Sequence, residues 1–216
     1  MRNLFLLNSN LYNLISYFFI YSFLGWLVEV GYAYMNQKKF VNRGFLHGPI
    51  CPIYGTSILS MVLLLNNFNG NLFSLFIITT LITSTMEYFT GYLLEKIFKK
   101  KYWDYTDDPF NIHGRICIPF SIMWGTVSIG VIKIVHPIVS LVVNSFSINL
   151  LIFIIYSLFI FFILDLSSTL AKFINLKKIN INFQLDIGVL SHSYRSNNIS
   201  KTLEEKIQIL KSKILK

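Results

Sequence analysis

The sequence predicts an all-α, polytopic transmembrane protein. Of its 216 residues 54% are hydrophobic and only 13% are charged, which is too few charges to cover a soluble globule of this size. The charged residues are gathered between long apolar runs instead of being spread along them, as in multi-pass membrane proteins. The lipid bilayer is therefore the first predicted partner.

Five apolar runs approach the length of about 20 residues that a helix needs to cross the hydrocarbon. The predicted spans are residues 11–34, 49–65, 72–96, 116–136 and 150–173. The second is the shortest. The apolar stretch 137–143 is too short to cross, so it either extends the fourth helix past a kink at Pro137 or lies in the interface. The first run has full membrane length with no cleavage pattern after it, so we expect it to remain as a span.

The orientation follows from the lysines and arginines in the short loops. One set of loops carries Lys38, Lys39, Arg43, Lys99, Lys100, Lys101 and Arg115, whereas the loop 66–71 between them has no charge. This pattern places the N-terminus outside and the C-terminus inside. Because these cations lie beside predicted spans, the anionic inner leaflet accounts for the formal charge of +9, and we expect no nucleic-acid partner.

An internal repeat divides the predicted membrane domain, residues 1–174. The block His47-Gly48-Pro49-Ile50-Cys51 matches His113-Gly114-Arg115-Ile116-Cys117, and each block opens a helix that soon reaches an aromatic residue followed by glycine. We expect two tandem helical hairpins followed by a fifth helix, an arrangement common in transporters. Chance similarity between glycine-rich helix starts is the alternative.

Residues 175–216 are predicted to form a basic cytosolic tail, too short to bury a core alone. Thr202 and Glu205 fit a capping box, and the apolar positions after them recur at helical spacing. These apolar positions are Leu203, Ile207, Leu210 and Ile214. The amphipathic helix that they predict lies on the membrane, docks on a partner or is simply solvated.

Acidic residues inside spans are costly and usually face the protein interior. Glu29, Glu87 and Asp165 all fall in the cytoplasmic halves of their predicted helices, where they can meet at one depth. Glu87, Gly91 and Glu95 follow at spacings of four, which places both carboxylates on one face beside a small residue. For Asp165 we expect local partners in Ser167, Ser168 and Thr169, with Lys172 nearby, and a structural role.

Arg43 and Arg115 reach the same depth from the starts of the returning helices. The candidate substrate-binding residues are Glu29, Arg43, His47, Glu87, Glu95 and Arg115. Glycines and a proline frame Arg43 and His47 in the loop 42–49, which predicts irregular backbone at the membrane boundary. The arginines favour an anionic group such as a phosphate or carboxylate. The alternatives are ion pairs that fix packing, and an arginine that reaches to lipid head groups.

Two weaker signals accompany this cluster. His47, Cys51, His113 and Cys117 form two His-x-x-x-Cys pairs, which we keep as a minor zinc alternative, while a structural disulfide is not expected on the cytoplasmic face. Trp103, Asp104 and Tyr105 follow a basic run and are predicted to anchor an interfacial loop. Asp104 and its acidic neighbours can pair with the lysines or with Arg115 and order that loop.

The sequence contains no G-x-x-x-x-G-K-[ST], H-E-x-x-H or G-x-S-x-G stretch, so we expect no P-loop of its own and no bound cofactor. No catalytic motif is recognised, which disfavours an enzyme without excluding one. The motifs that carry a family resemblance are Glu29, Asn42-Arg43-Gly44-Phe45-Leu46-His47-Gly48-Pro49, Cys51-Pro52-Ile53-Tyr54-Gly55, Glu87, Gly91, Glu95, Trp103-Asp104-Tyr105 and the run from Asn111 to Trp124-Gly125. Through these motifs the first two-thirds of the chain resembles the type IV ABC-transporter permease family, also called CmpB-like. Tyr102 stands where that family usually has tryptophan, a conservative departure.

The resemblance implies a permease-like protein of the bacterial cytoplasmic membrane with no established substrate. At about five spans the chain is small for a pathway of its own, so a homo- or hetero-oligomer and a separate ATP-binding subunit are expected. Two other classes stay open. One is a membrane enzyme acting on lipid head groups or another anionic substrate, with Glu87 as general base. The other is a regulatory membrane protein that binds through its tail.

Overall fold

The chain folds into helices joined by two irregular segments and one small β-ladder. The computed structural model describes the backbone of residues 2–65, 68, 70–194 and 207–208, and the side chains of these residues from 11 to 174 and at 207–208. The elements in chain order are α1 (Arg2–Gln37), α2 (Pro52–Leu64), α3 (Leu72–Phe98), β1 (Asn111–Ile112), β2 (Ile116–Cys117), α4 (Ile118–Gly130), a π-helical segment (Val131–Val135), α5 (His136–Ser145) and α6 (Ile148–Tyr194). Residues Met1–Thr169 form one compact unit and Leu170–Lys216 a second.

Four helical stretches are long and apolar enough to cross a bilayer. They are Leu11–Gln37, Leu72–Phe98, Ile118–Ser145 and Ile148–Ile174, each of 27 or 28 residues. Many of their large apolar side chains are exposed, such as Phe73 at 70% and Phe153 at 69%, as expected of surfaces that face lipid. The prediction of a multi-pass helical membrane protein is confirmed by these four helices.

The second predicted span is only partly helical. α2 has 13 residues and is about 20 Å long, against about 30 Å of hydrocarbon. It begins late because Cys51 is its N-cap and donates its backbone N–H to the carbonyl of Ser22, 2.9 Å away in the middle of α1. About 22 Å of helix separates Ser22 from the end of α1. Residues 38–51, here the first return segment, therefore fold back along α1 without helical structure.

A second return segment, residues 99–117, folds back along α3 in the same way. It contains β1 and β2, which pair antiparallel with Asn111 opposite Cys117, a feature that the all-α prediction lacks. His113 and Gly114 turn the chain with φ of 55° and 66°, and the Asn111 side chain accepts the N–H of Gly114 at 3.1 Å. The ladder thus results from the turn-forming residues of a loop. The sequence has no apolar alternation here from which strands could be predicted.

Each return segment leads into a helix that packs antiparallel on the helix before it. At Gly55 of α2 a Cβ atom would lie 2.2 Å from Ser22 Oγ and 2.5 Å from the carbonyl oxygen of Phe18. At Gly125 of α4 it would lie 1.9 Å from Thr80 Oγ1 on α3. Both glycines therefore permit close approach of the paired helices, α1 with α2 and α3 with α4.

The helix of the fourth predicted span continues past Pro137 to Ser145, as one of the two sequence alternatives predicted. The π-helical segment precedes this proline and links α4 to α5 without a break. α5 then packs on α1, where Tyr21 Oη lies 3.0 Å from His136 Nδ1 and Tyr17 donates to Ser140 at 3.1 Å. Tyr17 and Tyr21 form a buried cluster there with Val143, Leu151 and Ile155.

α6 continues to Tyr194, beyond the predicted end of the fifth span at residue 173. In the predicted tail helix only Ile207 and Gln208 belong to the described residues, and both are helical. The proposed capping box, Thr202 with Glu205, and the apolar positions Leu203, Leu210 and Ile214 lie outside the described residues.

Candidate functional site

Two glutamates and two tyrosines form a polar group where the return segments lie against α1 and α3. We call Glu29, Tyr54, Glu87 and Tyr105 the carboxylate cluster. Tyr54 donates to Glu29 Oε1 at 2.7 Å, and Tyr105 donates to Glu87 Oε1 at 2.9 Å. Glu29 is thus held by a phenol of α2, just after the first return segment, and Glu87 by a phenol within the second return segment.

The two halves of the cluster are electrostatically connected. Burial raises the pKa of Tyr105 well above its ordinary value of 10.0, and the nearby carboxylate of Glu87 raises it further. Cys117 and Glu29 raise the pKa of Tyr105 in the same direction, by smaller amounts. Glu29 and Glu87 therefore act on the same phenol, although they belong to different helix pairs.

Glu29 also faces Arg43, but their contact is weak. The guanidinium nitrogen NH1 lies 3.9 Å from Glu29 Oε2, and the two side chains are 36% and 28% exposed. The guanidinium lies 5.4 Å from the ring centroid of Tyr32. A partly exposed pair at this distance contributes little to stability, so Arg43 retains donors for another acceptor.

Glu87 is the buried member of the cluster, with 9% of its surface exposed. Its Oε1 accepts from Tyr105, but its Oε2 is buried and has no hydrogen-bond partner among the described residues. A buried carboxylate oxygen without a donor is costly, and a native protein that keeps one usually has a use for it.

Arg115 does not join Glu87, contrary to the predicted four-residue constellation of Glu29, Glu87, Arg43 and Arg115. Its Nε and NH2 donate to Glu95 Oε2 at 3.1 and 2.8 Å. The reason is register, because the second return segment brings Arg115 beside Gly91, one turn short of Glu87. Gly91 does admit a close neighbour, but the neighbours are the Trp103 ring and the Arg115 side chain and not another helix backbone.

Trp103, Asp104 and Tyr105 hold the second return segment together. Trp103 donates its indole N–H to the carbonyl of Arg115 at 2.9 Å. Asp104 accepts from Lys101 at 2.9 Å, one of the pairings expected from the sequence, and also from Thr106. Hydrogen bonds from Thr106 and Lys101 keep the pKa of Asp104 below its ordinary value. These contacts order the loop beneath the carboxylate cluster.

His47 and Asp165 form a separate contact. Asp165 Oδ1 accepts the backbone N–H of His47 at 3.1 Å, and Oδ2 accepts that of Gly48 at 2.8 Å. The expectation that neighbouring hydroxyls satisfy Asp165 is therefore wrong, since Ser168 bonds only its backbone carbonyl and Thr169 bonds His47 Nδ1 at 2.7 Å. Asp165 fastens the first return segment to α6.

The histidines and cysteines of the two repeats stay apart in their contacts. His47 contacts Thr169, whereas His113 contacts Tyr88, with Nδ1 3.0 Å from the phenol oxygen. Cys51 and Cys117 are free and buried. Among the described residues no group of three or more His, Cys, Asp or Glu side chains is placed to hold a metal ion, so the minor zinc alternative gains no support.

Sequence reasoning missed Tyr54 as a site residue. Two signals were available: Tyr54-Gly55 is the aromatic-glycine pair that Trp124-Gly125 matches in the other repeat, and Tyr54 belongs to the motif 51–55 that carries the family resemblance. The two rings meet in the structure, edge to face with centroids 5.7 Å apart, so this pair joins the two helical hairpins beside the cluster.

Apolar helices of membrane length around a buried carboxylate define a multi-pass α-helical membrane protein. The comparisons with known proteins go one step further: residues 16–170 match the family described as "Putative ABC-transporter type IV". The match covers well over half of the chain, and the protein belongs to this family. No curated protein and no solved structure matches the chain.

Proposed function

We propose that the protein is the membrane-embedded, permease-like subunit of an ABC-type transporter in the bacterial cytoplasmic membrane. The observation that carries the proposal is the family match over residues 16–170, together with helices of membrane length across the same region. The carboxylate cluster is then the polar site that the transported substrate meets.

A five-pass route, with the N-terminus outside and the C-terminus inside, fits the path of the chain. The connection from Leu65 to Asn71 can extend over only about 20 Å, so it does not carry the chain back across a bilayer. α2 and the first return segment together therefore complete the second crossing. Irregular backbone at membrane depth is tolerated where it is buried in protein, and Leu46 and Ile50 are buried at 2% and 4% exposure.

The site favours a cationic or hydrogen-donating ligand more than the anionic one expected from the sequence. Arg43 keeps donors at the more exposed Glu29, but Arg115 is bound to Glu95 and both phenolic hydrogens are already donated. The buried oxygen left over is the acceptor Glu87 Oε2. The pairing of Arg115 also withdraws support from an enzyme that would hold lipid phosphates through this arginine.

The chain supplies no P-loop, so the proposal requires a separate ATP-binding subunit that docks on the cytoplasmic loops or the tail. Capture of the tagged full-length protein from native membranes in mild detergent, followed by mass spectrometry, tests this directly. We expect a P-loop ATPase in constant proportion to the bait.

A variant pair sharpens the capture experiment. Replacing Lys99, Lys100 and Lys101 by alanine should weaken ATPase capture, whereas Lys133→Ala, on the predicted outer side, should not. Recovery of the protein without any ATPase, or with only bound lipid, would overturn the transporter proposal and direct attention to lipid head-group chemistry.

A further inference from the structure

The face of α3 that carries Glu87 also carries buried hydroxyls without partners. Thr80, Ser84 and Glu87 follow at spacings of four and three, which places them on one side of the helix. The oxygens Thr80 Oγ1, Ser84 Oγ and Glu87 Oε2 are all buried and lack a hydrogen-bond partner among the described residues. We call these three residues the hydroxyl stripe.

Neighbouring hydroxyls on α3 behave differently. Thr79 donates to the carbonyl of Leu75 at 2.9 Å, and Thr83 donates to the carbonyl of Thr79 at 2.9 Å. This back-bonding is the usual way in which serine and threonine are satisfied within a membrane helix. Thr80 and Ser84 have the same option in the same helix, yet they do not use it. Thr80 Oγ1 packs against Gly125 of α4, so Ser84 Oγ and Glu87 Oε2 are the oxygens left for other partners.

Water is the partner that the chemistry of the hydroxyl stripe supports. Hydroxyl oxygens both donate and accept, and buried polar groups that lack a protein partner are commonly bonded to ordered water. A line of such oxygens that ends on a carboxylate has the composition of a proton relay in a membrane protein.

The charged and titratable groups around Glu87 agree with a proton relay that ends at this carboxylate. From the second return segment it faces Tyr105, and Glu29 of α1 and Tyr54 of α2 also lie near it. Arg115, the nearest strong cation on that segment, is bound to Glu95. Among the described residues no cation forms an ion pair with Glu87, since Arg115 pairs with Glu95 and Arg43 faces Glu29. The second carboxylate, Glu29, favours the uptake of a positive charge at Glu87.

We propose that Glu87 is a proton-binding site that is reached through water along the hydroxyl stripe. One proton from bulk solvent passes as a hydronium ion, or along hydrogen-bonded waters that end neutral, to Glu87 Oε2. This step converts the carboxylate to a neutral carboxylic acid, and the proton leaves to water by the reverse step. A proton needs only this one carboxylate, whereas the described residues offer no third acidic, histidine or cysteine side chain for a metal ion. Proton binding at Glu87 does not require the transporter function. Only the purpose of the bound proton rests on that proposed function.

Infrared difference spectroscopy of the full-length protein in lipid nanodiscs tests the site without any transport assay. We expect a carbonyl-stretch band of a protonated carboxylic acid that changes with pH and is lost in Glu87→Gln. Glu95→Gln is the matched control, because Glu95 is paired with Arg115 and its loss should leave the band in place. If Glu87→Gln does not fold, Tyr105→Phe serves instead, since it removes the hydrogen bond to Glu87 Oε1 and should shift the band.

The path is tested by the rate at which this carboxyl band exchanges in deuterated water. Ser84→Ala removes the unpartnered hydroxyl one turn from Glu87 and should slow the exchange by about tenfold, the effect of one lost hydrogen-bonded step. Thr83→Val removes a back-bonded hydroxyl from the adjoining face and should leave the rate unchanged. A band that survives Glu87→Gln, the absence of any such band, or equal rates in Ser84→Ala and Thr83→Val would overturn the proposal. Failure of the ATPase capture would leave these spectra unaffected, so the two proposals fail separately.

Discussion

Close packing of α2 on α1 at Gly55 predicts that this position tolerates no side chain. In Gly55→Ala the new Cβ would lie 2.5 Å from the carbonyl oxygen of Phe18, a backbone atom that cannot rotate away. Ser22 Oγ, at 2.2 Å, can change rotamer, so the backbone contact determines the cost. The two helices must separate locally, and overpacking of this kind costs about 1–3 kcal/mol.

A matched substitution isolates that cost. Alanine is favoured over glycine in a helix by about 1 kcal/mol, which partly hides the clash in any single variant. Gly31→Ala, also in a helix, meets nothing within 4 Å and gains only this propensity. The two variants should therefore differ in unfolding free energy by the overpacking cost alone, about 1–3 kcal/mol, with Gly55→Ala the less stable.

Thermal unfolding of both variants in one detergent, followed by size-exclusion recovery and by chemical denaturation, measures this difference. Equal stability of Gly55→Ala and Gly31→Ala would refute the argument that α1 and α2 pack through Gly55.

Three further predictions concern single contacts. Asp165→Asn leaves one of the two loop N–H groups without an acceptor, so we expect a loss of about 1–3 kcal/mol and faster proteolysis within residues 38–51. Arg115→Lys replaces two donors on Glu95 by one, which should destabilise the second return segment by about 1 kcal/mol in chemical denaturation, whereas Lys101→Arg should not. Because the folded pKa of Tyr105 is raised above 10.0, the unfolded chain loses this proton first, and stability should fall as the pH rises through about 10. Tyr105→Phe should lessen that fall, and an unchanged pH profile would contradict the assignment.

The long helices were predictable because a membrane-crossing helix needs about 20 mostly apolar residues. Such a run remains recognisable even when single residues within it are polar. The spans predicted at 11–34, 72–96 and 150–173 lie within helices α1, α3 and α6. The helix of the span predicted at 116–136 continues to residue 145. The second predicted span, residues 49–65, is helical only from residue 52 because Pro49 and Pro52 prevent helical hydrogen bonding before that point. A hydropathy pattern does not show this restriction.

The polar site was predictable as a set of residues but not as a set of contacts. Charge within an apolar run identified Glu29, Glu87 and Asp165, since each is costly in lipid wherever its partner lies. Partner choice depends on how far the return segments fold back, and nothing in a local pattern fixes that distance. Hence Arg115 was expected at Glu87 but binds Glu95, and Asp165 binds a loop more than a hundred residues away.

The return segments explain how the carboxylate cluster can be buried and yet able to rearrange. A helix satisfies its own backbone, so a cluster held only by helices would be rigid. Glu87 is held by Tyr105 of the non-helical second return segment, and Glu29 by Tyr54 in the first turn of α2, directly after the first return segment. Among the contacts that hold the segments, Asp165 binds the first and Glu95 binds the second. We expect release of either contact to loosen one phenol and expose its glutamate without unfolding a span. A substrate, a proton or a docked subunit that acts on a loop thereby gains a physical route to the buried carboxylates.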